Sequence, residues 1–220
     1  FSKTIPYKNK YRTIYYGFSL KDFKNSKKIS NVLIKLKKKY NLKEGETKIL
    51  NIARHVKQKS LDVLIKAFAL YEKKYKNSKL ILVGHGPETL KLKKLATNLK
   101  ISNKLCWIDN YENVKDLFLL SDVFVLSSEY EGLGLVLLEG MSSNTPLIAS
   151  NTSAMPEVIK NNYNGYLFKK NNYKNLEKKL ILIRNKSTQK KFKKNGIISL
   201  KKNFNLDKMQ SLTTKTYYSN

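Results

Sequence analysis

The sequence predicts an α/β domain: a doubly wound, Rossmann-like parallel sheet with helices on both faces, followed by a C-terminal helical extension. Three observations carry this expectation. Short β-branched or apolar runs recur through residues 13–168, segments with apolar residues three and four apart lie between them, and beyond Asn171 only the helical period continues. Strands that alternate with helices pair in parallel, because each crossover returns the chain to the edge where the last strand began.

In chain order, the first run is Thr13 to Tyr16 and the second is Lys48 to Ile52. A helix follows through Leu61, Leu64, Ile65 and Phe68, then the run Lys79 to Val83 and a helix through Leu90, Leu92, Leu95 and Leu99. The runs Lys104 to Ile108 and Val123 to Leu126 flank a helix marked by Val114, Leu117 and Phe118. Leu133 to Ser142 reads as helical, with Leu135, Leu138 and Met141 on or near its inner face. Pro146 to Ala149 and Gly165 to Phe168 complete the strands, and two or three helices fill the remainder. The expected division is a Rossmann-like domain over 1–170 and helices packing on it over 171–220.

With 220 residues the chain is long enough for one large domain with a sizeable core. No stretch approaches the roughly 18 consecutive apolar residues of a membrane span. A lone Cys106 forms no internal disulfide, and no charged-then-apolar leader opens the chain, which together lead us to expect a reducing, cytoplasmic setting. Phe1 is not an initiator methionine, which leaves room for a segment ahead of it. Lys plus Arg number 44 against 16 Asp plus Glu, a formal charge of +28, which suits nucleic acid or an anionic membrane. Only Arg12, Arg54 and Arg184 are arginines, however, and the lysines are scattered among asparagines and isoleucines as A- and T-rich coding produces. Runs such as Lys37 to Lys39 and Lys190 to Lys194 read as solvated helix faces, so no specific nucleic-acid partner is expected. Peripheral contact with acidic phospholipids at the inner face of the cell membrane remains an expectation.

The chemistry concentrates in Ser127 to Ser150, SSEYEGLGLVLLEGMSSNTPLIAS. Glu131 precedes the helix read there and Glu139 lies within it. Eight residues of helical rise separate them by about 12 Å, too far for two carboxylates that share a proton. Gly132 and Gly134 leave the N–H groups of the helix start uncovered, and that end carries the partial positive charge that phosphate favours. A ligand with hydroxyls on both sides of a diphosphate fits such a pattern, since carboxylates accept from hydroxyls and repel phosphates. A nucleotide sugar has that shape. The plainer account has Glu131 stabilising the helix dipole and Glu139 reaching solvent.

Arg54 and Lys59 leave the second run in one loop, a planar fork and a point charge of the kind that hold phosphates. Gly84-His85-Gly86 forms a strand exit where the backbone can approach a flat base or ribose, or make a tight turn. His55 and His85 are the only histidines, no group of residues stands at metal-ligand spacing, and no catalytic triad can be assembled. Cys106, beside Trp107, reads as a core residue. No G-x-G-x-x-G follows the first strand, which argues against a dinucleotide-dependent oxidoreductase.

The series TIYYGFSLKDF, ILNIARHVKQKSLDVLIKAF, KLILVGHGP, DVFVLSSEYEGLGLVLLEGMSSNTPLIASNTSAMPEVI and NGYLF resembles the nucleotide-sugar-binding half of group 1 (family 4) glycosyltransferases. The likeness runs from Thr13 to Phe168, with the later helices similar to the family's tail. The resemblance implies two Rossmann-like domains facing across a cleft (the GT-B fold), of which this chain carries the donor side. It further implies retaining, metal-independent transfer from a nucleotide diphosphate sugar, without a cofactor, in polysaccharide, lipopolysaccharide or glycolipid synthesis. By the same resemblance Glu131 holds donor-sugar hydroxyls, and Gly132, Leu133, Gly134 and Leu135 meet sugar and phosphate through backbone N–H groups. Glu139 holds the ribose, Arg54 with Lys59 the diphosphate, and Gly17 faces the donor phosphates. Glu131, Arg54 and Lys59 are the residues expected to act in catalysis. Ala53 and Ser60 stand where the family usually has glycine, and Ser142, Ser143 and Asn144 where it has other small residues. An N-terminal acceptor-binding domain is the expected partner. The alternative is a non-enzymatic basic module that binds nucleic acid or anionic membrane.

Overall fold

The computed structural model describes residues 13–18 and 27–218. Residues 19–23 of the first family-like stretch, Arg12 and the start of the expected 1–170 domain therefore lie outside the described residues. Among those described, α1 (Lys27–Lys39) leads into β1 (Thr47–Ile52), α2 (Leu61–Lys74), β2 (Ser78–Val83), α3 (Thr89–Asn98) and β3 (Leu105–Ile108). The chain continues through α4 (Val114–Leu120), β4 (Val123–Leu126), α5 (Leu135–Ser142), β5 (Leu147–Ser150), α6 (Met155–Val158) and β6 (Tyr166–Phe168). Three helices close it: α7 (Tyr173–Leu182), α8 (Lys186–Asn203) and α9 (Leu206–Tyr218).

The strands form one sheet in the order β3-β2-β1-β4-β5-β6, with every pairing parallel. Such strands are covered on both faces and so carry near-continuous apolar runs; VFVL in β4 and LIAS in β5 are buried throughout. One face packs Leu64, Phe68 and Tyr71 of α2 with Leu92 of α3 and Leu176 of α7. The other packs Leu36 of α1, Phe118 of α4 and Leu137, Leu138 and Met141 of α5. Helix α8 contributes Phe192 to the first cluster and Leu200 to the second, and Phe192 meets Tyr166 of the edge strand β6 edge-to-face at 4.9 Å.

Two expectations are corrected here. Thr13 to Tyr16 is not a strand. Its side chains find partners on the C-terminal half instead of a ladder: Tyr15 packs on Phe204 with ring centroids 5.5 Å apart and donates its hydroxyl to Glu157 at 2.8 Å. Helix α5 starts at Leu135 rather than Leu133, which turns Leu135 outward at 45% exposure and gives the inner position to Leu137.

The sheet order reverses between β1 and β4, and the helices that follow these neighbours, α2 and α5, pack on opposite faces. In open α/β sheets this is where ligands bind.

Candidate functional site

Beyond β1, the segment Lys57–Lys59 makes one 3-10 turn that ends at Ser60, whose φ of 45 lies in the left-handed region. That conformation is strained for a residue with a Cβ. The turn aims Lys59 across the switch point, where its Nζ meets Oε1 of Glu131 at 2.6 Å. Both side chains are largely buried, at 20% and 14% exposure. The two exit loops are further tied by Glu129 N–H donating to the Gln58 carbonyl at 2.7 Å and Ser127 Oγ donating to the Lys59 carbonyl at 2.8 Å. Gln58 Nε2 also donates to the Tyr130 carbonyl at 3.0 Å.

Arg54 stands at the same end of β1, exposed, with no ion pair among the described residues. A guanidinium left open beside a crevice is ready for an anion. Lys59 keeps two N–H donors after its bond to Glu131, so it can serve a phosphate and the carboxylate together.

Gly134 caps α5 at φ 71, a left-handed turn that a Cβ would crowd against Leu137 at 3.3 Å. Gly132 is exposed and a Cβ there would meet nothing within 4 Å. In the first turn of α5, Leu137 N–H donates to the Gly134 carbonyl at 2.8 Å. Leu133 is half-buried and packs against the second core cluster. Glu139, one turn further into α5, is also half-buried. Its carboxylate has no hydrogen bond or ion pair among the described residues, and burial pushes its pKa up.

Three expected positions sit differently. Gly17 packs against α9: a Cβ would stand 2.4 Å from Leu206 Cα, and its N–H is donated to Met209 Sδ at 3.1 Å. The glycine is needed for that backbone contact. Gly84, at φ 122, lies against the Ala53 carbonyl, where a Cβ would be 2.2 Å away. Close approach at this exit is therefore made by the protein's own backbone. His85 is exposed, its Nδ1 3.3 Å from the Asp109 carbonyl. His55 is fully buried, pairs Nδ1 with Thr89 Oγ1 at 2.8 Å and packs on Trp107, and burial lowers its pKa, so it is a neutral core group.

A separate cavity of about 610 Å³ between α2 and α3 is lined by Lys57, Leu61, Lys91 and Leu95, and includes none of Arg54, Lys59, Glu131 and Glu139. The Lys59–Glu131 pair lies instead at the exits of the adjacent strands β1 and β4. Among the described residues no group of three or more His, Cys, Asp or Glu stands together as a metal site. Sequence reasoning missed Ser127, Ser128 and Gln58, since small polar residues at a strand exit carry no signal of their tertiary partners.

The sheet order and the crevice at its reversal define a Rossmann-like ligand-binding domain. Residues 34–198 match the family model for glycosyl transferases group 1, and the chain belongs to that family. It is 36% identical over 135 residues to N-acetyl-alpha-D-glucosaminyl L-malate synthase of Bacillus anthracis, covering 61% of this chain and 35% of the relative. It is 33% identical over 171 residues to alpha-monoglucosyldiacylglycerol synthase of Acholeplasma laidlawii, covering 76% of this chain and 42% of the relative. The structure of Anabaena HepE in complex with UDP and glucose superposes with a TM-score of 0.84 at 20% identity, over 95% of this chain and 57% of that one, a likeness of fold. The chain thus spans 35% and 42% of the length of these two curated relatives.

Proposed function

We propose that this chain is the donor-binding part of a glycosyltransferase that moves a hexose-type sugar from a nucleotide diphosphate sugar to a hydroxyl acceptor with retention and without a metal. The observation that carries the reading is the convergence at the β1/β4 reversal: Arg54 open, Lys59 on Glu131, and the start of α5 beside them. In this reading Arg54 and the free N–H groups of Lys59 hold the diphosphate, Glu131 the sugar hydroxyls and Glu139 the ribose. The bond from the sugar to the diphosphate breaks on the face where the acceptor oxygen bonds. The cations and the helix N-terminus stabilise the charge that develops on the departing diphosphate, and one of its oxygens takes the acceptor's proton. The names of the Acholeplasma relative and of a lipopolysaccharide glycosyltransferase with a similar fold support a cell-envelope glycan as the product. An acceptor-binding domain from outside these 220 residues would complete the cleft.

Titration with UDP, GDP and their sugars tests the reading. Arg54→Ala is expected to weaken nucleoside diphosphate binding by about 2 kcal/mol, the scale of a charge-assisted hydrogen bond, and to leave nucleoside binding unchanged. Equal losses for both ligands would remove Arg54 from the phosphate site. Turnover is expected only when the acceptor-binding half is supplied, because the reacting groups must be held together.

We also propose that the protein works in the cytoplasm and touches the anionic inner face of the membrane. No helix among the described residues is long and apolar enough to cross a membrane. Helix α8 has seven lysines and no acidic residue. On its outer face Ile198, 42% exposed, lies one turn from Lys194 and from Lys201, and Asn195 bonds the carbonyl of exposed Tyr163. Sedimentation with phosphatidylglycerol vesicles is expected to show binding that the double change Lys194→Glu and Lys201→Glu weakens by roughly tenfold or more, and that salt suppresses. Salt-insensitive binding, or none, would refute the contact.

A further inference from the structure

We propose that Ser128 is a positioning residue that decides which oxygen of Glu131 faces the donor, an inference that rests on the donor reading above. Ser128 follows β4 by two residues and is fully buried. Its hydroxyl donates to Oε1 of Glu131 at 2.7 Å. Lys59 Nζ donates to the same oxygen at 2.6 Å. A carboxylate oxygen offers two lone pairs, so these two donors fill Oε1 and leave Oε2 as the oxygen that can accept a ligand hydroxyl.

The two donors differ in stiffness. Lys59 reaches Oε1 on a four-carbon stem and has further N–H groups for phosphate, so an arriving diphosphate pulls the ammonium towards itself. Ser128 has one short rotor on the end of a central strand. It is held from below, since its carbonyl accepts the hydroxyl of Ser150, fully buried at the end of β5. Glu131 itself stands in an irregular segment, with regular helix only from Leu135. Without Ser128 the carboxylate would follow Lys59 towards the phosphates and repel them. With Ser128 it stays at the sugar, and Lys59 pivots between the two.

The test is titration calorimetry of the 220-residue chain with UDP, UDP-glucose, UDP-N-acetylglucosamine and GDP-mannose. For the nucleotide sugar that the wild type binds, Ser128→Ala is expected to lose about tenfold in affinity, the scale of one hydrogen bond to a charged group, while UDP binding stays within about twofold. Ser128→Thr, which keeps the hydroxyl, is expected to restore sugar binding. In a Glu131→Ala background, Ser128→Ala should cause no further loss, because its effect passes through that carboxylate. Equal losses for nucleotide and nucleotide sugar, or a loss that adds to that of Glu131→Ala, would overturn the positioning role and leave the donor reading standing. A wild type that binds nothing in the panel would overturn the donor reading itself, and this inference with it.

Discussion

Gly84→Ala is expected to destabilise the domain by about 4 kcal/mol, combining a strained backbone with overpacking against a neighbour that cannot yield. The φ of 122 is one that residues with a Cβ rarely adopt, and the new methyl would stand 2.2 Å from the Ala53 carbonyl oxygen. Neither side can move cheaply. Ala53 N–H donates to the Val83 carbonyl at 3.0 Å and Gly84 N–H to the Ile108 carbonyl at 2.8 Å, so β1, β2 and β3 are fastened to one another at this point. Thermal denaturation should show a midpoint roughly 10 °C below the wild type. Gly132→Ala is the matched comparison: with open space around the new methyl, stability should change by less than about 0.5 kcal/mol. A Gly84→Ala variant as stable as Gly132→Ala would show that the two loops can separate at little cost.

The second large effect is at Glu139. Glu139→Ala should weaken UDP and UDP-sugar alike by roughly 1.5 to 3 kcal/mol, because the ribose is common to both and its hydroxyls bond a charged group. The pH dependence has a definite sign. Burial raises the Glu139 pKa, and hydroxyls bind the ionised form, so UDP affinity should fall as pH is lowered through that raised value and level off above it. Stability runs the other way. The native state holds this proton at higher pH than the unfolded chain does, so the Glu139 contribution to stability is present below the unfolded pKa and is lost as pH rises through the folded one. Glu139→Gln should therefore melt higher than the wild type at neutral pH and bind UDP more weakly, with a flat pH profile. A wild-type affinity independent of pH across the acidic range would remove Glu139 from the ribose.

Much of the architecture was legible in the sequence because buried parallel strands must be continuously apolar. The expected runs from Lys48 onward all fall on strands, with ends displaced by a residue or so. Thr13 to Tyr16 has the same composition but lies against Phe204 and Glu157, and composition does not reveal whether aromatic residues face a ladder or another helix. In the site, Arg54 and Glu131 stand out as charges at strand exits, whereas Lys59, one of many lysines, is marked only by sharing a loop with Arg54. That Lys59 and Glu131 bond each other was not legible, since 72 residues separate them and their meeting depends on β1 lying beside β4. Gly84 reads as a place of close approach and Gly17 stands out only through the family resemblance, and a glycine does not say what approaches it. Here it is Leu206 in one case and Ala53 in the other. Ser128 was invisible for the converse reason: nothing in a serine's identity tells that its hydroxyl holds a carboxylate three residues on.

The cross-ties between the two exit loops also bear on how this domain can be re-engineered. Gln58 accepts from the Glu129 N–H and donates to the Tyr130 carbonyl, and the Lys59 carbonyl accepts from Ser127. Each tie joins a residue after β1 to one after β4; one uses backbone groups on both sides, and each of the other two uses a side chain that only one loop supplies. A graft that imports a foreign loop after β4 to change sugar preference would leave the Lys59 carbonyl without the Ser127 hydroxyl and the Lys59 ammonium without Glu131. The smallest transplantable unit is consequently the pair, residues 54–60 together with 127–134, and chimaeras that exchange one member should fail where those that exchange both succeed.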